Sequence, residues 1–205
     1  MPAKNQNLHG NVPDHSPAAL LLIDVINDLE FPNNRSLLQQ ARKMAERIAA
    51  LKARARKCGI ACIYVNDNFG KWKSDFQTQV QHCLNDNVAG RVVAERLKPE
   101  QEDYFVLKPK HSGFFSTTLD TVLRYLNSHT LILTGIAGDL CVLFTANDAY
   151  LRDFRIFIPS DCVISNTVSQ NRQALELMKR VLKADIRPAA KLNLSNLKKR
   201  PAHER

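Results

Sequence analysis

The sequence predicts an α/β fold, a three-layer αβα sandwich around a mostly parallel sheet of about six strands. Two observations carry the prediction: short continuous apolar runs recur along the chain, and stretches with apolar residues at helical spacing separate them. A third is that the first run, ALLLIDV at 19–25, is apolar until it meets Asp24, as a central strand does when both its faces are covered. Strands alternating with helices imply a parallel sheet with helices on each side.

The elements follow in order. After the 19–25 strand, residues 35–58 place Leu37, Leu38, Ala41, Met44, Ala45, Ile48 and Leu51 on one helical face, and Gly59 is suited to stop the helix. IACIYVN at 60–66 reads as a second strand, followed by shorter helical stretches near 74–84 and 88–97. DYFVLK at 103–108 is a third strand, 116–127 a helix, HTLILTG at 129–135 a fourth strand and 138–153 a helix. RIFIP at 155–159, a helix at 167–183 and a short last strand, ADIRP at 184–188, complete the pattern. The expected organisation is a flexible segment at 1–17, one domain at 18–188, and a basic, loosely ordered tail at 189–205.

Composition narrows the function classes. A chain of 205 residues with 44% hydrophobic content is long enough to bury one substantial core. No apolar run approaches the ~20 residues that span a bilayer, and the N-terminal stretch, broken by Pro2, Pro13 and Pro17, lacks the apolar centre of a secretion signal. Five scattered cysteines, Cys58, Cys62, Cys83, Cys141 and Cys162, are odd in number and suit a reducing compartment, so a cytoplasmic protein with free thiols is expected. The net charge of +9 could attract nucleic acid, but the basic residues spread along helices such as RKMAERIAALKARARK without interleaved aromatics. A solvated helix face accounts for them, and neither nucleic acid nor membrane is expected as a partner. Neither a G-x-G-x-x-G nor a G-x-x-x-x-G-K-[ST] occurs, so no nucleotide cofactor is suggested.

In open parallel sheets the functional crevice lies beyond the carboxyl ends of the strands. Three groups fall there: Asp24 after ALLLI, Lys108 after DYFVL, and Cys141 in TGIAGDLC after HTLIL. Each has a bland alternative, since an aspartate caps loops, a lysine ends surface strands and a small cysteine packs helices against sheets. Cys141 falls at the start of a helix, where unpaired N–H groups and the helix dipole would stabilise a thiolate.

Three blocks of sequence then carry a resemblance. LLIDVINDLEF at 21–31, LKPKHSGFFSTTLDTVLR at 107–124 and LILTGIAGDLCVLFTANDAYLRDFRIFIPSDC at 131–162 resemble the signature blocks of isochorismatase-like hydrolases, in the family's order. The third is the most specific, because it ties a strand, its glycines, the cysteine and the following helix together. The resemblance implies a catalytic triad of Asp24, Lys108 and Cys141; Lys108 rather than Lys110 has the motif spacing. It implies a cis peptide at Ile136–Ala137 and an oxyanion hole from the backbone N–H groups of Ala137 and Cys141. It implies hydrolysis of a small molecule's C–N bond, in an amide, ureido or imide-like group, through an acyl-enzyme, and an assembly of two or four copies. The alternatives are isochorismate-type vinyl ether hydrolysis, whose enzymes typically lack the thiol, and a non-catalytic module of the same fold.

No metal is expected. Nicotinamidases of the family carry an Asp-x-His and a further histidine after the second strand, whereas this chain reads NDNFGKWKSDF there, and His9, His15, His82, His111, His129 and His203 have no ligand spacing. The expected arrangement is closer to metal-free relatives such as N-carbamoylsarcosine amidohydrolase. Phe31, Asn66, Trp72, His111 and Phe114 stand in or beside segments expected near the crevice and are candidates to touch the small-molecule substrate, against the ordinary alternatives of packing and turn capping.

Overall fold

The computed structural model describes residues 15–30, 35–68 and 75–199. Strand β1 (Ala18–Ile23) is buried along its whole length because its alternate residues enter two different cores. Ala18, Leu20 and Leu22 join one apolar cluster, while Ala19, Leu21 and Ile23 join the other. A strand of strict alternation would have served only one face; the unbroken run AALLLI serves both.

The first cluster is covered by α1 (Arg35–Lys57), α2 (Phe76–Asn85) and α3 (Arg91–Arg96). The second is covered by α4 (Leu119–Tyr125), α5 (Cys141–Tyr150) and α6 (Val168–Val181). Between the helix layers lies a six-stranded sheet of β1, β2 (Ala61–Asp67), β3 (Tyr104–Lys108), β4 (Thr130–Ile136), β5 (Arg155–Phe157) and β6 (Val163–Ile164). Its order is β3-β2-β1-β4-β5, β6 also pairs with β4, and every pairing is parallel. The chain moves outward from β1 to β3 and then returns to lay β4 on the other side of β1. The sheet therefore has its topological switch point between β1 and β4, the place at whose carboxyl edge open α/β sheets generally hold their ligands.

The expected architecture is the observed one, with local differences. The last strand was expected at 184–188, but there the structure has only a bridge between Phe157 and Asp185. The Asp185 side chain accepts from the N–H of Arg187 two residues on, at 3.1 Å, and Pro188 follows without an N–H, so a ladder cannot propagate. The sixth strand is instead Val163–Ile164, which meets Gly135 and Ile136 just past the stretch of β4 paired with β5. The helix expected from 116 begins at Leu119, because Ser116 has a positive φ of 52° and the Thr117 hydroxyl donates to the Gly113 carbonyl at 2.5 Å.

The expected loose tail is corrected for residues 189–199, which pack on α1. Ala189, Leu192, Leu194 and Leu197 are buried, and the last two belong to a short helix, α7 (Leu194–Leu197). The Arg54 guanidinium donates to the carbonyls of Ala189 and Leu192 at 2.8 and 2.6 Å. Lys198 reaches back to the Cys58 carbonyl at 3.0 Å. At the other end, Ser16 is buried: its N–H donates to the Leu126 carbonyl at 2.8 Å, and its hydroxyl accepts from the Ala61 N–H at 2.8 Å. Residues 1–14 and 200–205 lie outside the described residues. Among the described residues, no helix is long and apolar enough to cross a membrane.

A buried ionic cluster fixes the start of β3, the strand whose end carries Lys108. The Lys52 ammonium lies 2.7 Å from Asp103 and donates to the Tyr64 hydroxyl at 2.8 Å, and that hydroxyl donates to the Leu97 carbonyl at 2.7 Å. Arg56 pairs with Asp103 at 2.6 Å and also with Glu100. Asp103→Ala would leave Lys52 buried without its main counter-charge. It is expected to lower the unfolding free energy by about 3–5 kcal/mol, read from urea midpoints, whereas the apolar pair Lys52→Met with Asp103→Leu should lose less. Equal losses for the two would show that the charge is already neutralised by other groups.

Candidate active site

Asp24 is the first residue past β1. It takes a positive φ of 50°, and its N–H donates to the Val65 carbonyl at 2.9 Å. That left-handed turn, which aspartate tolerates better than most residues, lifts its carboxyl onto the carboxyl edge of the sheet. One carboxylate oxygen accepts the Asp67 N–H at 2.7 Å, and the other lies 2.9 Å from the Lys108 ammonium.

Lys108 ends β3 and is completely buried. A lysine is rarely hidden this way unless its charge is matched. Here two carboxylates match it: Asp24, and Asp67 of β2 at 3.3 Å. The parallel register aligns Asp67 with Lys108, which explains why both side chains reach the same point. The ammonium is also 3.5 Å from the Cys141 sulfur.

Cys141 is the first residue of α5 and is 8% exposed. The chain arrives at it from β4 through a cis peptide at Ile136–Ala137, the bond the family resemblance implies. The Ala137 carbonyl accepts from the N–H groups of Leu140 and Val142, at 3.1 and 3.0 Å, so the turn into the helix closes on itself. Gly138 and Asp139 donate to the Ile164 carbonyl and the Ser165 hydroxyl, at 2.8 and 3.1 Å, which ties the turn to β6 and the residue after it. Among the described residues, the N–H groups of Ala137 and Cys141 have no acceptor. Beneath them Gly135 has a φ of 115°, and a Cβ there would stand 2.0 Å from the Ile23 carbonyl oxygen, so only glycine allows β4 this close to β1.

The electrostatics follow from burial and from the Lys108 ammonium, which Asp24, Asp67 and Cys141 all approach. Burial raises the Asp24 pKa above its ordinary value, opposed by Lys108 and by its hydrogen bonds with Cys141, Lys108 and the Asp67 backbone. Burial and the adjacent Asp24 carboxylate push the Cys141 thiol up to about 12, against the pull of Lys108. Burial alone would lower Lys108, but Asp24, Cys141 and Asp67 outweigh it and hold the ammonium charged. This runs against the stabilised thiolate expected at a helix start: desolvation and the Asp24 carboxylate favour the neutral thiol.

Of the other candidates, Asn66 is fully buried near the end of β2, one residue before Asp67. Its amide donates to the Ile26 carbonyl at 2.7 Å, a carbonyl shared with Gln79 at 3.0 Å. Its own carbonyl oxygen is the sole buried side-chain polar atom without a partner among the described residues. His111 is exposed, with its ring 5.6 Å from that of Phe144, one helical turn beyond Cys141. Phe114 is not brought to the thiol; it packs 6.1 Å from the ring of Phe154 and under the Arg152 guanidinium, beyond the far end of α5. Phe31 and Trp72 lie outside the described residues. Asp67 escaped sequence reasoning as a partner of the triad, although its place at the end of a strand neighbouring β1 was the signal. Among the described residues, no three His, Cys, Asp or Glu side chains are grouped so as to hold a metal ion.

Residues 18–186 match the isochorismatase domain. The chain belongs to the isochorismatase family. Within the isochorismatase family it is 43% identical to the protein YaaI of Bacillus subtilis over 168 residues, 82% of this chain and 92% of YaaI. It is 40% identical to the ureidoacrylate amidohydrolase RutB of Yersinia enterocolitica over 62 residues, which span 30% of this chain and 27% of RutB. Its fold is similar to that of an N-carbamoylsarcosine amidase from Thermoplasma acidophilum, with a TM-score of 0.68 and 25% identity over 86% of this chain and 98% of that one. The parallel sheet flanked by helices is thus shared with that amidase, and the two relatives named for a reaction are amidohydrolases.

Proposed function

We propose that this protein is a metal-independent cysteine hydrolase that cleaves a C–N bond of a small amide, ureido or imide-like molecule through a Cys141 acyl-enzyme. One observation carries the reading: a single buried ammonium, Lys108, contacts both the Asp24 carboxylate and the Cys141 sulfur, at 2.9 and 3.5 Å. A cysteine packed only for structure needs no buried ion pair beside it, since burying charge is expensive.

In the proposed reaction Asp24 takes the thiol proton as the sulfur attacks the substrate carbonyl carbon, so thiolate character develops only along the attack. A new S–C bond forms, and the carbonyl π electrons move onto oxygen. The free N–H groups of Ala137 and Cys141 receive that oxyanion, as donors fixed before the charge appears. Asp24 then passes its proton to the departing nitrogen and the C–N bond breaks, leaving a thioester. Water attacks the thioester, Asp24 accepts its proton, and the S–C bond breaks to restore the thiol and release the acid. Lys108 stays protonated throughout and offsets the negative charge that moves between carboxylate, sulfur and oxygen.

Two relatives named for ureidoacrylate and N-carbamoylsarcosine point to the same carbonyl chemistry. The test exposes the protein to a panel of primary amides, ureido acids and imides, with ammonia measured and the Cys141 peptide weighed. An acyl adduct on Cys141 with ammonia release is expected for at least one ureido or amide compound. Turnover of a vinyl ether with no adduct would overturn the reading.

A further inference from the structure

We propose that Thr145 is a positioning residue of this centre: its buried hydroxyl ties the segment that follows Lys108 to the helix that begins with Cys141, and so sets the contact between ammonium and sulfur. The inference rests on the reading of Cys141 as nucleophile and adds to it the device that holds the nucleophile against its cation.

The sheet alone does not bring these two groups together. Lys108 ends β3 and Cys141 follows β4, and both β2 and β1 lie between those strands. Three strand spacings amount to roughly 14 Å, whereas the Lys108 ammonium is 3.5 Å from the Cys141 sulfur. Where the two side chains meet therefore depends on how the chain leaving each strand is held. A direct tie exists on the face covered by α5. Gly113, in the segment between β3 and α4, donates its N–H to the Thr145 hydroxyl at 2.9 Å, and that hydroxyl donates to the Cys141 carbonyl at 2.7 Å. About one turn further along α5, Asp148 accepts from the Ser112 hydroxyl at 2.5 Å, and the same hydroxyl accepts from the Phe114 N–H at 3.1 Å. Neighbouring residues of the segment thus grip successive turns of the helix.

Packing does not call for a threonine here. Thr145 is completely buried, and valine would fill the same space without a polar group to satisfy. A helical threonine often bonds back to the carbonyl four residues before it. This one also accepts from outside its helix, so its proton and a lone pair are both used and the buried Gly113 N–H has its partner. The segment is pressed close: a Cβ on Gly113 would stand 2.8 Å from a Val65 methyl of β2 and 3.5 Å from the Thr145 methyl. Without the hydroxyl the Gly113 N–H is a buried donor with no acceptor, a cost relieved when the segment moves off α5. That movement draws the end of β3, and Lys108 with it, away from Cys141.

The test needs no substrate. The full-length protein is treated with iodoacetamide at one fixed pH, and modification of the Cys141 peptide is followed by mass spectrometry. The variants are Thr145→Val, Thr145→Ser, Lys108→Met, and Thr145→Val combined with Lys108→Met, each checked for folding by circular dichroism. The thiolate is the reacting form, and an adjacent cation favours it. Thr145→Val is expected to slow modification about tenfold, while Thr145→Ser, which keeps the hydroxyl, stays within about threefold of wild type. In Lys108→Met the valine substitution should have no further effect, because the contact it governs is already gone. Ser112→Ala breaks the neighbouring tie and is expected to slow modification in the same direction; it serves if Thr145→Val does not fold, and Lys108→Gln replaces Lys108→Met on the same ground. An unchanged or faster rate in Thr145→Val, a Thr145→Ser variant as slow as the valine, or equal slowing with and without Lys108 overturns the positioning role and leaves the nucleophile reading intact, since a change in access alone persists without the ammonium. No modification of Cys141 in wild type overturns both.

Discussion

Cys141→Ala is expected to reduce amide turnover by about ten-thousand-fold or more, because it removes the atom that forms the acyl bond rather than one that assists it. Cys141→Ser should fail nearly as badly. Its hydroxyl is far less acidic than a thiol, so Asp24 would have to remove a proton that is held far more tightly. Neither variant should unfold, since the thiol sits at the head of α5 and the loss of one sulfur leaves the core residues Val142, Ala146 and Ala149 in place. The measurement is ammonia release on whichever compound the panel identifies, with far-ultraviolet circular dichroism as the control for folding. Retained turnover in Cys141→Ala would require a mechanism in which water attacks directly.

The same chemistry sets the acid limb of the pH profile. Asp24 must be ionised to accept the thiol proton, and burial holds its pKa above the ordinary carboxylate value. Activity should therefore fall as pH drops through a midpoint higher than that of a solvent-exposed aspartate, and Asp24→Asn should remove the limb together with the activity.

The second large effect concerns stability. Lys108→Met keeps the length of the side chain but leaves the buried Asp24 carboxylate without the ammonium that stands 2.9 Å from it. A loss of about 3–5 kcal/mol at neutral pH is expected, together with loss of activity. The sign of its pH dependence follows from Asp24. Burial already raises its folded-state pKa above the unfolded one, and without Lys108 it rises further, so Asp24 holds its proton more readily in the folded chain than in the unfolded one. The penalty is then absent below the unfolded carboxylate pKa of about 3.9 and grows as pH rises from there through the raised folded value. Urea midpoints for wild type and variant should converge at low pH and separate toward neutrality. A difference that stays constant with pH would mean that lost packing, not lost charge balance, dominates.

Much of this centre was legible because strand ends announce themselves. ALLLI and DYFVL are apolar until they meet Asp24 and Lys108, and an ionisable residue directly after a doubly buried strand must end either in solvent or in the crevice. What the residues alone left open was which. Lys108 reads as a surface lysine until its two carboxylate partners are known, and those come from β1 and β2, more than 40 residues away by hydrogen-bond separation. The state of the Cys141 thiol was misjudged for the same reason: a helix start is local and visible, whereas desolvation and the Asp24 charge are tertiary. Val163–Ile164 is too short for a period to show, so β6 could not be found by pattern. The segment after residue 188 looked loose because Lys198 and Lys199 dominate its composition. Yet Leu192, Leu194 and Leu197 supply enough apolar surface to bind α1 once the Arg54 guanidinium caps the two carbonyls.

Gly135 has a consequence for how such a catalyst can diversify. Because no side chain fits between β4 and the Ile23 carbonyl, the spacing of β1 and β4 is set by backbone against backbone and cannot be widened or narrowed by substitution there. The distance from the base on one strand to the two amide donors beyond the other is thereby frozen. Room for a larger or smaller substrate therefore cannot come from this contact: the one dimension that the chemistry depends on is fixed by backbone atoms alone.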